Sequence, residues 1–261
     1  MSGLSIALCG LAASAALALL TWIASLLRHD VSLVDRTWGL MIAAPGIVYA
    51  ALLPDAWPRA AWLLPLLLAW AIRLAWHVTR RNWGHGEERR YQAIRARNQP
   101  GFAFKSLYLV FALQAVLAWA VAAPLFAAFV GGRDFGWLDA AGVALAGFGI
   151  VFEAVSDAQL SRFLGDPAHK GQVMDRGLWR YSRHPNYFGE CCTWWGMFLL
   201  GLAGAGVYGW WALVSPVVMT VLLLKVSGVS LLEADIGERR PKYRDYVART
   251  PAFFPWRPRA R

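Results

Sequence analysis

The stretch LSIALCGLAASAALALLTWIASLL, Leu4 to Leu27, holds no charged residue, and SLYLVFALQAVLAWAVAAPLFAAFV, Ser106 to Val130, repeats the property. Each exceeds the ~20 apolar residues that a helix needs to cross the hydrocarbon core of a bilayer. Lipid offers no hydrogen-bond partner to the backbone, so such stretches read as α-helices that satisfy their own N–H and C=O groups. Working outward, Cys191 to Leu224 is also free of charge, but GAGVYG at Gly204 to Gly209 interrupts it as a tight turn would and divides it into two helices. Further spans run from Leu33 to Leu53, Ala60 to Val78 and Ala140 to Leu164. The expected fold is an all-α integral membrane protein of about seven transmembrane helices with amphipathic cytoplasmic interfacial segments, a single polytopic domain over residues 1–261.

Composition agrees. Of 261 residues 58% are hydrophobic and only 16% charged, with fifteen tryptophans, a balance that excludes a water-soluble surface. Met1-Ser2-Gly3 lacks the positive segment of a signal peptide, so the first apolar stretch is expected to remain as a span. Lys and Arg concentrate in the segments after spans three, five and seven, seven from Arg80 to Lys105, five from Arg162 to Arg183 and eight from Arg239 to Arg261, whereas the alternate loops hold Arg59 alone, Arg133 alone and none around Tyr208. Positive loops stay on the cytoplasmic side, which sets the amino terminus outside and the carboxyl terminus in the cytoplasm. The net charge of +10 is spread over these loops and the tail instead of one face, so no nucleic-acid partner is expected; topology and anionic headgroups account for it. No obligatory protein partner is expected either. Cys9, Cys191 and Cys192 have no metal-type spacing, and no metal site or disulfide framework follows from them. The insertion from Arg80 to Pro100 reads as a short amphipathic helix at the membrane surface, and Gly142 to Gly149 permits close helix approach.

Charged side chains inside spans are costly and mark candidate function. Glu153 and Asp157 are four residues apart, one turn along one helix face, and two carboxylates so close push at least one pKa upward; pairing with Arg162 or Arg183 is the competing reading. Asn186 and Glu190 repeat the spacing behind Pro185, in a first turn where the missing N–H does no harm. The intervening loop, with Lys170, Arg180, Tyr181, Arg183 and His184, leads into that helix N-terminus, a seat for phosphate or another anionic group. Asp35 and Arg36 open the second span as a site or an interfacial ion pair. Arg73 and His77 end the third, where snorkelling explains the arginine. Gln114 offers an amide in the fourth, and Lys225 in the last has Glu233 as a possible partner.

The segment GLWRYSRHPNYFGE, Gly177 to Glu190, preceded by FEAVSDAQL at Phe152 to Leu160 and followed by Glu233 and Tyr243-Arg244-Asp245-Tyr246, resembles bacterial membrane proteins related to the steroid 5-alpha-reductase carboxyl-terminal domain, the family numbered DUF1295. The resemblance covers roughly Ala140 to Trp256, the reductase-like cofactor-binding half, and DVSLVDRTWG at Asp30 to Gly39 extends it. It implies an NADPH-binding enzyme of the bacterial inner membrane that reduces an activated C=C bond of a steroid-like, isoprenoid or acyl lipid. The implied cofactor-binding set is Glu153, Asp157, Lys170, Arg180, Tyr181, Arg183, His184, Asn186, Tyr187, Glu190, Glu233 and Tyr243, with Asp35, Tyr187 and Glu190 as catalytic candidates. The Gln-Glu dipeptide with which steroid reductases protonate their substrate is absent, so the acid falls to Asp35 or Tyr187. Arg183-His184-Pro185 with Tyr187 and Gly189 is also similar to isoprenylcysteine and phospholipid methyltransferases. That likeness implies S-adenosylmethionine as the alternative cofactor.

Overall fold

Gly10, Ser14, Ala18, Thr21 and Ser25 recur every three or four residues along the first helix, and all are buried. Such a stripe of small residues lets a second backbone approach closely in lipid. The structure, a computed structural model, describes residues 1–226, 229 and 242–259. The described residues contain helices and turns and no strand. Helix α1, Gly3–Arg28, starts where the Ser2 side chain accepts the Ser5 N–H and stops at His29, whose φ of 50° lies in the left-handed region. Its stripe faces α2, Leu33–Leu52: Ser14 Oγ donates to the Met41 carbonyl at 2.8 Å. The Tyr49 ring lies where any side chain at Gly10 would stand.

The chain then runs through α3, Trp57–Arg81, the short α4, Arg89–Arg97, and α5, Phe102–Ser106. A π-helical turn over Leu107–Ala112 leads into α6, Leu113–Val121. Pro124 separates it from α7, Ala123–Val130, because proline cannot supply the N–H that would continue the ladder. Helix α8 is Trp137–Gly165 and α9 is Pro185–Ala205. A 3-10 stretch over Gly206–Leu213 precedes α10, Val214–Val221, and α11 is Lys242–Arg249.

The chain divides into two compact units, Met1–Leu138 with Leu200–Ser215, and Asp139–Leu199 with Pro216–Arg261. Five helical stretches among the described residues are long and apolar enough to cross a membrane: Gly3–Arg28, Pro54–Arg81, Phe102–Val130, Trp137–Gly165 and Pro185–Val226. The chain is a multi-pass membrane protein. The difference from the seven expected spans arises at two places. Helix α2, which opens on Asp35 and Arg36, is not among the five. The turn expected at Gly204 to Gly209 is present: Gly206 takes a φ of 64° in a 3-10 segment. The chain folds back so that Thr220 Oγ1 stands 3.3 Å from Cys191 Sγ and accepts from the Trp195 indole at 3.4 Å, which makes the stretch Pro185–Val226, counted once above, two antiparallel helices.

Candidate functional site

Helix α8 buries Gly142, Ala146, Gly149, Glu153, Ser156 and Asp157, a spacing of three and four that puts all of them on one face. That face meets α9. A side chain at Gly196 would overlap Ala146, a Cβ at Gly149 would stand 2.5 Å from the Gly189 carbonyl and from Thr193, and one at Gly189 would stand 2.7 Å from the Glu153 nitrogen. The helices run antiparallel in this register, so continuing it one turn brings Asp157 to the first turn of α9. There Asn186 Nδ2 donates to Asp157 Oδ1 at 3.2 Å. The face that carries both acidic side chains is therefore held against α9 by Gly149, Gly189 and Gly196, and Glu153 and Asp157 are 4% and 5% exposed.

Glu190, one turn into α9, is equally buried and accepts the Trp194 indole N–H at 3.1 Å. His184 is buried, and its ring stacks on Tyr187 with centroids 5.5 Å apart and planes within 3°. Two carboxylates from α8, an amide and a carboxylate from α9, and a parallel aromatic pair thus gather where the two helices meet the loop between them. Carboxylate and amide oxygens are the groups that accept from ribose hydroxyls, and an aromatic face suits a cation or a planar ring.

The loop is pinned to α8 from one side and to the carboxyl-terminal strap from the other. Gly177 has φ 56° and stands so near Gln159 that a Cβ would meet its amide at 2.5 Å; Gln159 Oε1 accepts the Leu178 N–H at 2.9 Å. The Trp179 indole donates to the Ser156 carbonyl at 3.0 Å. From the strap, the Tyr246 hydroxyl donates to the carbonyls of Trp179 and Ser182. Ser182 Oγ donates to the Phe253 carbonyl at 2.8 Å, the Arg183 backbone N–H to Pro251 at 2.9 Å, and the Trp256 N–H to Tyr181 at 2.9 Å. Arg183 Nη1 donates to the carbonyls of Val247 at 3.0 Å and Thr250 at 2.8 Å.

The expected cofactor-binding residues therefore sort by environment. Glu153, Asp157, His184, Asn186, Tyr187 and Glu190 come together at the α8–α9 end. Arg183, expected to face phosphates, turns one guanidinium nitrogen to the strap. Lys170 and Arg180 are exposed, and Tyr181 is 42% exposed. Tyr243 is buried and packs edge-on against Tyr246. Glu233 lies outside the described residues. Tyr246, Ser182 and Trp179, which hold the loop, lie within the segments that carry the resemblance, but nothing in the sequence assigned them a role of their own.

Asp35 belongs to the other unit. Its carboxylate accepts from Arg90 and, at 2.7 Å, from the Tyr91 hydroxyl, both on α4, and Gln114 Nε2 donates to that hydroxyl at 3.2 Å. Burial and the charge of Asp35 push the Tyr91 hydroxyl above the ordinary phenol range, so it remains a proton donor at neutral pH. Beside it, Glu87 accepts from Arg95 through both oxygens, at 2.8 and 2.7 Å, and from the Val31 N–H at 2.9 Å. Burial opposes the Glu87 charge, but these bonds outweigh it and hold the carboxyl below its ordinary range. Asp35 was legible as a charge at the head of an apolar helix; its partners, fifty-five and fifty-six residues on, were not. Among the described residues no cluster of His, Cys, Asp and Glu is arranged to hold a metal ion.

A family model described as "Protein of unknown function (DUF1295)" matches residues 21–250, and the chain belongs to that family. The chain is also similar to a Schizosaccharomyces pombe protein described as "Uncharacterized protein C594.04c", 24% identical over 278 residues, covering 94% of this chain and 78% of the yeast protein. No solved structure matches.

Proposed function

We propose that the chain is a membrane-embedded reductase that uses NADPH to reduce an activated C=C bond of a lipid, with the α8–α9 end holding the cofactor on the cytoplasmic side. The observation that carries the reading is the burial, at one end of two membrane helices, of Glu153, Asp157 and Glu190, with the half-buried Asn186 in direct hydrogen bond to Asp157. Buried carboxylates in a membrane protein are too costly to be retained for packing alone. Asp157, Asn186 and Glu190 offer acceptors for ribose hydroxyls. Lys170 and Arg180, exposed on the loop, supply positive charge for phosphates. NADPH, when bound, supplies the hydride. A hydride delivered to a conjugated bond leaves charge on oxygen that an acid must neutralise, and within the same unit Tyr187, stacked on His184, is the candidate.

A second reading, an S-adenosylmethionine-dependent lipid methyltransferase, is favoured by one observation. Arg183 Nη1 is turned to Val247 and Thr250, which leaves the site rich in carboxylates and aromatic faces, and those suit a sulfonium better than a diphosphate. One experiment separates the two. Purified protein in lipid nanodiscs is incubated with a membrane lipid extract and either NADPH deuterated at the nicotinamide C4 or S-adenosylmethionine with a deuterated methyl group. The reductase reading predicts deuterium in a lipid only from NADPH. A lipid gaining the labelled methyl group transfers the assignment, and no label from either cofactor removes both.

A further inference from the structure

In the unit formed by Asp139–Leu199 and Pro216–Arg261, Phe152 of α8, Leu178 and Tyr181 of the loop, and Pro255, Trp256 and Arg257 near the carboxyl terminus line an open cavity of about 300 Å³. This volume is at the lower end of the range of ligand pockets. Its wall is predominantly apolar, and Arg257 is the charged residue among those that line it, bringing a permanent positive charge to its edge. The strap that forms half of it is held by the Trp256–Tyr181 and Arg183–Pro251 backbone bonds, so the cavity belongs to the folded unit and not to a chance approach of the chain end.

Two features indicate where the cavity stands relative to a bilayer. Phe152 ends the charge-free part of α8 that begins at Ala140, so one wall is at hydrocarbon depth. Phe254 and Trp256 of the strap are 71% and 73% exposed and are followed by arginines, the composition of a membrane–water interface. The cavity therefore connects hydrocarbon with the headgroup layer. A purine would leave its ring nitrogens facing carbon, which costs free energy for each unmet hydrogen bond. A hydrocarbon chain loses nothing there and gains by leaving water.

We propose that this cavity is a binding site for one acyl chain of a bilayer phospholipid with an anionic headgroup, the phosphate resting against Arg257. The site stands without the reductase reading and is independent of any nucleotide. Its occupant enters sideways from the membrane, with Leu178 and Phe152 taking the chain and Trp256 covering it from the water side. The charge at the mouth selects headgroup; the carbon wall does not.

The test uses the full chain in mixed micelles with phosphatidylglycerol carrying a photoactivatable diazirine on one acyl chain, with labelled peptides located by mass spectrometry. Label is expected in the peptides containing 178–181 and 255–257. Unlabelled phosphatidylglycerol should compete about five-fold better than phosphatidylcholine, the preference that one basic residue near a membrane surface gives. Arg257→Gln should remove that preference, while Arg28→Gln, a change at an exposed arginine of the other unit, leaves it intact. Leu178→Trp should fill the cavity and abolish the label there. Label confined to the outward faces of the spans, equal competition by both phospholipids, or equal effects of the two arginine changes would overturn the proposal. Competition by free oleate and by neither phospholipid would overturn the assignment to a bilayer lipid.

Discussion

Replacing Gly189 by alanine should destabilise the protein although alanine is the better helix former. The added Cβ would meet the Glu153 nitrogen at 2.7 Å, the Gly149 carbonyl oxygen at 2.8 Å and the Glu153 Cβ at 2.9 Å, where ordinary contact begins at 3.4 Å. None of these atoms is the end of a flexible side chain, so α9 must recede by roughly 0.6 Å, and overpacking of this kind costs about 1–3 kcal/mol. Three rigid contacts argue for the upper end, and alanine returns about 1 kcal/mol of helix propensity, leaving a net loss of about 2 kcal/mol. The same recession would stretch the 3.2 Å bond between Asn186 and Asp157 beyond hydrogen-bonding range. Gly147, on α8, has no atom within 4 Å of the Cβ it would acquire, so Gly147→Ala should be neutral or stabilising by up to about 1 kcal/mol. Thermal unfolding in detergent, followed by circular dichroism at one heating rate, reads both: Gly189→Ala should melt about 4–8 °C below wild type, and Gly147→Ala no lower than it. Gly189→Ala melting with or above wild type would refute the claim that close approach of α8 and α9 aims the acidic side chains.

Three further outcomes follow from named contacts. Asp35→Asn removes the nearer of the two carboxylates paired with Arg90, leaving Glu88 at 3.4 Å, and should cost about 2 kcal/mol by the same melt, whereas Tyr91→Phe, which loses one hydrogen bond to that carboxylate, should cost about 1 kcal/mol. Glu87 has a folded pKa below its ordinary 4.5, so its stabilisation is complete above that value and is lost as pH falls through the folded one. Protection from hydrogen exchange over residues 87–98, taken relative to the intrinsic rate at each pH, should therefore fall as pH drops below 4.5 in wild type and fall less in Glu87→Gln. Arg183→Met severs the guanidinium bonds to Val247 and Thr250, each worth about 1.5–3 kcal/mol for a charged donor. Trypsin should then cleave after Arg249 at least ten times faster, an outcome absent if the strap is held by other contacts alone.

The spans were legible because charge-free runs of twenty or more residues have one structural solution in lipid. The meeting of α8 and α9 was legible in outline: Gly142 to Gly149 announced close packing, and the i, i+4 spacings of Glu153 with Asp157 and Asn186 with Glu190 announced two polar faces. Register was not legible, because nothing in either helix alone states that Gly189 sits against Glu153; that follows from the fit of Gly196 into Ala146 and of Gly149 into Thr193. Arg183 shows the other limit. An arginine in a basic loop reads as a phosphate ligand, yet carbonyls sixty-four and sixty-seven residues away accept from it, and no local pattern encodes a partner at that distance. The anchoring of α4 to Asp35 escaped for the same reason, since Arg90 and Tyr91 look from sequence like the solvated and lipid-facing sides of one short amphipathic helix.

The central claim is that the buried acidic groups of α8 and α9 hold a ribose-bearing cofactor. The dissociation constant of NADPH, measured by its fluorescence on the purified chain in nanodiscs for wild type and Asp157→Asn, tests it most directly. A carboxylate accepting from a ribose hydroxyl contributes about 1.5–3 kcal/mol, so Asp157→Asn should bind about 10–100-fold more weakly at an unchanged melting temperature. Equal affinity in the two proteins, or no saturable binding of NADPH by wild type, would contradict it.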